Sequence, residues 1–343
     1  MKETVRDLAK LPKAHLHLHF TGAMRPSTLV DLAQQQGVRL PAHLLENDPL
    51  TVPANSRGWF RFQRSYDAAR ALVRSEAVMR RLIDEAIEDD VREGSVRLEI
   101  QVDPTSYAPW VGGLTPALEI ILDQVKASSV KHGLSVGVIV AASRIRHPLD
   151  ARTLARLAAQ YAGTGDGEVV AFGLSNDEAA GVTSEFAPAF RLARKAGLPG
   201  VPHGGELLGP DHVRQVVSHL DPRRLGHGVR TVEDPRLLDE LIEAGIGFEL
   251  CPASNVSLGV FADLSRVPLR DLFTAGGLIA LGADDPLLFR SRLLTQYEYA
   301  REAGFSDVEV AQLAASSIEI SLASAEQKRI WQAQVDAWLA NTM

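Results

Sequence analysis

Along the chain, short runs dense in apolar and β-branched residues alternate with longer stretches whose apolar residues recur every three or four positions. Eight short runs are legible: 13–20 (KAHLHLHF), 96–103 (VRLEIQVD), 134–142 (LSVGVIVAA), 169–175 (VVAFGLS), 200–206 (GVPHGGE), 224–229 (RLGHGV), 246–252 (IGFELCP) and 279–285 (IALGADD). Segments between them, such as LDARTLARLAAQYA and DPRLLDELIEA, carry the spacing of amphipathic helices. Strand and helix alternating eight times over 343 residues predicts an α/β fold, the (β/α)8 TIM barrel. A doubly wound open sheet is the rival, but no Gly-rich phosphate fingerprint follows the first run.

Two stretches exceed a plain crossover. Residues 24–95 include GWFRFQRSYDAARALV and read as an inserted helical segment, a lid or pocket wall over the barrel mouth. After residue 286 the chain reads as extra C-terminal helices. No repeat or interdomain linker interrupts the pattern, so 1–343 reads as one barrel domain.

Composition adds exclusions. Hydrophobic residues at 45% and charged residues at 23% are the composition of an ordinary soluble globular protein. The net charge of −7, without a long Lys/Arg run, argues against nucleic-acid or anionic-membrane partners. A lone Cys251 permits no intrachain disulfide and reads as a small buried residue. MKETVRDLAK lacks the apolar core of a signal peptide, and no run has the length of a membrane span; the expectation is a cytoplasmic protein.

The candidate chemistry sits at the C-terminal ends of the strands, where barrels of this type place their active sites. In PKAHLHLHFTG, His15, His17 and His19 alternate, and in a regular strand all three imidazoles share one face. His17 and His19 lie nearest the strand end and are the expected metal ligands, with His15 a buried, hydrogen-bonding neighbour. The fifth run ends in His203 and Glu206, the sixth holds His227, and the eighth ends in Asp284 and Asp285. Each alone is weak evidence: buried histidines are commonly satisfied core residues, and Asp-Asp-Pro is turn chemistry. Imidazoles and carboxylates converging from four strand ends describe a first-row metal site, with Zn2+ the default for hydrolysis.

These residues also carry a resemblance. PKAHLHLHFTGAMRP, HGGE, LGHG, CPASN and GADDP, in this order, resemble the adenosine/adenine deaminase family over roughly residues 11–320. The resemblance implies a (β/α)8 barrel with one zinc per chain that hydrolyses the 6-amino group of adenine rings. It implies metal ligation by His17, His19, His203 and Asp284. Glu206 matches the proton donor to the ring nitrogen, and His227 the group that orients and deprotonates the attacking water. Asp285 matches the carboxylate that hydrogen-bonds the purine and the nucleophile. No lysine ends the fourth run (FGLSN), where related binuclear hydrolases keep a bridging carbamylated lysine. A phosphoesterase, which would want two metals, is therefore disfavoured. A non-catalytic metal-binding module is disfavoured because Glu206, His227 and Asp285 are all present.

Departures from the family pattern gather at the sugar end. Thr21 stands where adenosine deaminases carry an acid, Asp103 where they carry a serine, and Gly173 where they carry an aspartate. Asn176 replaces a glycine that meets the purine. Loss of hydroxyl-reading acids admits a bulkier or anionic 5′ substituent. The expected substrate is 6-aminodeoxyfutalosine, an adenine nucleoside with a carboxyphenyl ketone extension from an alternative menaquinone route. Arg144 and Arg146 are candidate partners for its carboxylate. Adenosine and free adenine are the alternatives. The partner is thus a small-molecule adenine nucleoside, and the oligomeric state is left open.

Overall fold

The computed structural model describes residues 6–340. Eight parallel strands form in chain order: β1 (Lys13–His19), β2 (Ser95–Val102), β3 (Ser135–Ser143), β4 (Val169–Ser175), β5 (Gly200–Gly204), β6 (Arg224–His227), β7 (Gly247–Leu250) and β8 (Leu278–Leu281). Each pairs with the next. The ring closes where the His19 N–H donates to the Asp284 carbonyl and the Asp284 N–H to that of His17, both at 3.0 Å. Helices between the strands complete a (β/α)8 barrel.

The last four strands stop short of the runs expected from sequence, for local reasons. Gly205 at φ +80° follows β5, His227 at φ +64° ends β6, and Asp284 at φ +60° lies beyond β8. Left-handed backbone cannot continue an extended ladder. Pro252, which lacks an N–H, starts a helix just after β7. Glu206, Asp284 and Asp285 consequently sit on turns beyond the strands.

Residues 24–95 contain helices Pro26–Gln36, Ser56–Arg70 and Glu76–Arg92 and the start of β2 at Ser95. Glu76–Arg92 packs against helix Leu114–His132 and against β2, as an ordinary barrel helix does, so the extra material is shorter than 24–95. Asp307–Ile320 packs on β8 and β1, and Ala325–Ala340 lies against it.

Two features of the barrel were not expected. Its interior holds the fully buried Arg97, Glu99, Arg224 and Glu249 rather than a purely apolar filling. Arg224 donates to Glu99 Oε2 and to Glu249 Oε1, each at 2.6 Å, and Arg97 donates to Glu99 at 3.2 Å. Such buried pairs give little net stability; they fix orientation. The second feature is a register shift in β1 between His15 and Leu18. His15 pairs with Leu98 and His19 with Gln101, positions on opposite faces of β2. His15 therefore leaves the face that His19 shares, against the expectation from simple alternation.

Candidate active site

His17 and His19 come from β1, His203 from β5 and His227 from β6, and Asp284 reaches in from the turn after β8. Asp284 Oδ1 lies 3.6 Å from His17 Nε2 and 3.2 Å from His19 Nε2. His17, His19 and Asp284 form one trio of donor atoms within 4.8 Å of one another; His17, His203 and His227 form a second. The Nε2 atoms of His17, His203 and His227 are buried without a hydrogen-bond partner. Unpartnered imidazole nitrogens facing one carboxylate are costly unless a cation shares them. The donor set suits a borderline divalent metal, whose N and O ligands stand about 2.0–2.2 Å away. These residues fit a metal.

Neighbouring groups hold the donors in place. His17 Nδ1–H donates to Glu249 Oε2 at 2.8 Å, leaving the Nε2 lone pair free for a metal. The Ser254 hydroxyl, from the CPASN motif, donates to Asp284 Oδ2 at 2.6 Å. Glu178 accepts the backbone N–H groups of Glu206, Leu207 and Leu208 at 3.0, 2.8 and 2.8 Å, fixing the turn that carries Glu206. A Cβ on Gly22 would fall 1.8 Å from Asp285 Oδ1, so only glycine admits that carboxyl. Glu249, Ser254, Glu178 and Gly22 escaped the sequence reading because each acts through a partner remote in sequence or in a different motif. The only signal was membership of the FELCPASN, HFTG and GLSNDE strings.

The titratable groups are pushed apart. Burial, together with the nearby Asp284 and Glu178 carboxylates, holds Glu206 well above the usual carboxylate range. Burial and Asp284 do the same to Asp285, whose Oδ1 has no partner. Burial opposes ionisation of Asp284 too, but hydrogen bonds from His17 and His19 outweigh it and hold this group well below the usual range. Burial and His17 push His227 down to about 3, and its Nε2 stands 3.6 Å from Glu206 Oε1. A carboxyl pushed up beside an imidazole pushed down has the opposed shifts of an acid–base pair. Backbone strain gathers here as well: Asn176, His227 and Asp284 all adopt positive φ.

These groups open into one cavity, partly open to solvent. Asn176 and Asp103 line it, as expected of substrate-facing residues. Asp103 turns one oxygen into its own loop, where Oδ1 accepts from the Thr105 N–H at 3.0 Å and its hydroxyl at 2.5 Å. Three expected substrate contacts lie elsewhere. Thr21 is fully buried and bonded at 2.6 Å to the Tyr107 hydroxyl, so Tyr107 and not Thr21 faces the cavity. Gly173 is packed in the barrel wall, where a Cβ would meet Ala141 at 3.2 Å and Ile139 at 3.4 Å. Arg144 is 1% exposed and donates to the His203 carbonyl and the Thr183 hydroxyl, both at 3.1 Å. It supports β5 and does not line the cavity. Arg146 is exposed, outside the cavity wall. The far wall is instead helix Ser56–Arg70, which contributes Trp59, Phe62, Gln63, Tyr66 and Arg70.

A barrel with histidine and carboxylate donors at the C-terminal ends of its strands defines the chain as a metal-dependent hydrolase of the amidohydrolase kind. The family model for adenosine deaminase matches residues 12–338. A Streptomyces virginiae protein provisionally named adenosine/adenine deaminase is 57% identical, over 98% of this chain and 99% of that protein. The crystal structure of adenine deaminase from Arthrobacter aurescens superimposes with a TM-score of 0.87 at 26% identity, covering 96% of this chain and all of that one. The N6-methyl-AMP deaminase of Arabidopsis thaliana gives a TM-score of 0.83 at 25% identity, with 96% and 97% covered. The chain belongs to the adenosine deaminase family, and it is a hydrolytic deaminase. No helix among the described residues is long and apolar enough to cross a membrane.

Proposed function

We propose that this deaminase removes the 6-amino group of an adenine nucleoside extended on its 5′ side, best matched by 6-aminodeoxyfutalosine. One Zn2+ per chain would be held by His17, His19, His203 and Asp284. When bound, such an ion supplies Lewis acidity that brings the pKa of water to about 7. The observation that carries the reaction is Glu206 Oε1 standing 3.6 Å from His227 Nε2 beside the donor cluster, with burial raising the proton affinity of the carboxyl and lowering that of the imidazole. His227 accepts a proton from the attacking water as the new C–O bond forms at C6. Glu206 donates its proton to N1, which offsets the loss of aromaticity at that carbon. The C6–N bond then breaks, the amino group leaves as ammonia with the proton held by His227, the remaining hydroxyl proton passes to Glu206, and the ring carbonyl forms. Asp285 and Asn176, both on the cavity wall, orient the purine.

The cavity's reach past the purine end, to helix Ser56–Arg70, supports an extended substrate over free adenine. A second reading, deamination of adenosine or adenine, draws support from the adenine deaminase neighbour. The test is ammonia release from adenosine, adenine, 5′-methylthioadenosine and 6-aminodeoxyfutalosine by metal-loaded protein. An advantage of 6-aminodeoxyfutalosine by orders of magnitude is expected; equal or better turnover of adenosine or adenine would replace the first reading by the second.

A further inference from the structure

Helix Ser56–Arg70 presents one face to the cavity. Trp59, Phe62, Tyr66 and Arg70 follow one another at three- and four-residue steps, Gln63 lies one turn from Trp59, and all line the wall. The first members are aromatic and braced: Phe62 stacks on Phe289 with ring centroids 5.7 Å apart and an interplanar angle of 9°, and Trp59 packs on Phe62 at 5.0 Å. Phe60, off this face, is 61% exposed and belongs to the outer surface.

The last member is a cation. Among the described residues, Arg70 is the only lysine or arginine in the cavity wall. Its guanidinium lies 5.8 Å from the Tyr66 ring and donates to Asp67 at 2.6 Å. Asp67 is on the same helix with its side chain 46% exposed. An ion pair of that kind is worth little and is readily exchanged. Asp103 feels the positive charges of Arg146 and Arg70, and Tyr107 that of Arg70, which places Arg70 at the β2 side of the mouth; of the two arginines only Arg70 lines the cavity. Asp103 has one oxygen committed to Thr105 and forms no ion pair with Arg70 within 4 Å.

A planar cation at the end of an aromatic wall matches a ligand with an apolar stretch and a terminal anion. Arg presents a fork of N–H donors that fits either a carboxylate or a phosphate. We propose that Arg70 is the anion-recognition residue of this active site, receiving a carboxylate or phosphate carried on the 5′ side of the adenine nucleoside, with Trp59, Phe62 and Tyr66 flanking the connecting part. This rests on the extended-nucleoside reading above and supplies the residue that Arg144, buried behind β5, cannot.

The experiment compares kcat/KM of wild-type, Arg70→Gln and Arg70→Lys holoenzyme on 6-aminodeoxyfutalosine, its methyl ester, AMP and adenosine. Wild type should prefer the acid over its ester. Arg70→Gln should pull that ratio towards one, chiefly through a KM for the acid raised about tenfold to hundredfold, the value of a charge-assisted hydrogen bond. Arg70→Lys should keep part of the preference. If AMP is instead the preferred anion and loses its advantage in Arg70→Gln, the site stands with phosphate as its ligand. If wild type prefers the acid and Arg70→Gln keeps that preference, Arg70 is not the reader, while the extended-nucleoside reading survives. If wild type favours neither anionic substrate over adenosine, that reading fails and the anion site falls with it.

Discussion

His17 Nδ1 stands 2.8 Å from Glu249 Oε2, while the other Glu249 oxygen accepts from Arg224 at 2.6 Å. A carboxylate held by a buried guanidinium thus fixes the tautomer of an imidazole two strands away around the barrel. Glu249→Gln should preserve the fold yet weaken metal affinity about tenfold to a hundredfold. Competition with a chelator measures this directly. Affinity equal to wild type would show that the link does not orient His17 for the metal.

His15 has a different task from its neighbours. Its Nδ1 meets Asp90 at 2.9 Å, and its Nε2 accepts the Ala283 N–H at 3.0 Å, the residue before Asp284. His15→Ala should keep a metal content of about one per chain. It should also lose roughly 1–3 kcal/mol of stability for each polar group left unsatisfied, Asp90 and the Ala283 amide. Metal analysis beside denaturant unfolding checks both halves. A metal-free product would return His15 to the ligand set.

Glu206→Gln removes the proton donor without removing a metal ligand. Metal content should be retained while turnover drops by about two to four orders of magnitude. Near-normal turnover would show that the ring nitrogen is protonated by another group.

An aspartate at position 173 looks from the sequence like a switch towards adenosine. The packing of Gly173 on Ala141 and Ile139 leads to a different expectation. Gly173→Asp should bury an unpaired polar group and cost about 1–3 kcal/mol in an unfolding titration. A variant as stable as wild type would show that the wall opens enough to let the carboxylate reach the cavity.

Lys13 supplies a pH test away from the active site. Burial pushes it down to about 8 from an ordinary 10.5, against the pull of Glu93, Asp90 and Asp7, and its ammonium donates to the Leu8 and Leu11 carbonyls at 2.9 Å each. Between these two values the unfolded chain binds more protons than the folded one, so stability contributed by this group rises with pH. From pH 8 to pH 10.5, wild type should gain on the order of 3 kcal/mol relative to Lys13→Met. Parallel stability curves for the two proteins would contradict the shift.

Much of this molecule was legible in one dimension. Eight short apolar runs, spaced by amphipathic segments, are local patterns, and a strand–helix alternation of that length closes naturally as a barrel. His17, His19, His203, Glu206, His227, Asp284 and Asp285 stood out because ligand and proton-transfer groups recur at strand ends. What stayed hidden were relations between distant residues. Glu249 meets His17 across 232 positions, and nothing near either one announces it. Arg70 was one arginine among several on a helix whose cavity face appears only after the helix crosses the barrel mouth.

The sequence by itself determined the element order, the barrel class and the set of side chains able to hold a metal and move protons, since these follow from local periodicity and residue chemistry. Tertiary structure decided which way those side chains point. A register shift in β1 turned His15 out of the row its spacing suggests, the packed wall removed Gly173 and Thr21 from the cavity, and β5 took Arg144 as a support. The physical reason is common to all: a strand's face and a buried side chain's partner are set by neighbours supplied by other strands and helices, and those neighbours exist only once the barrel has closed.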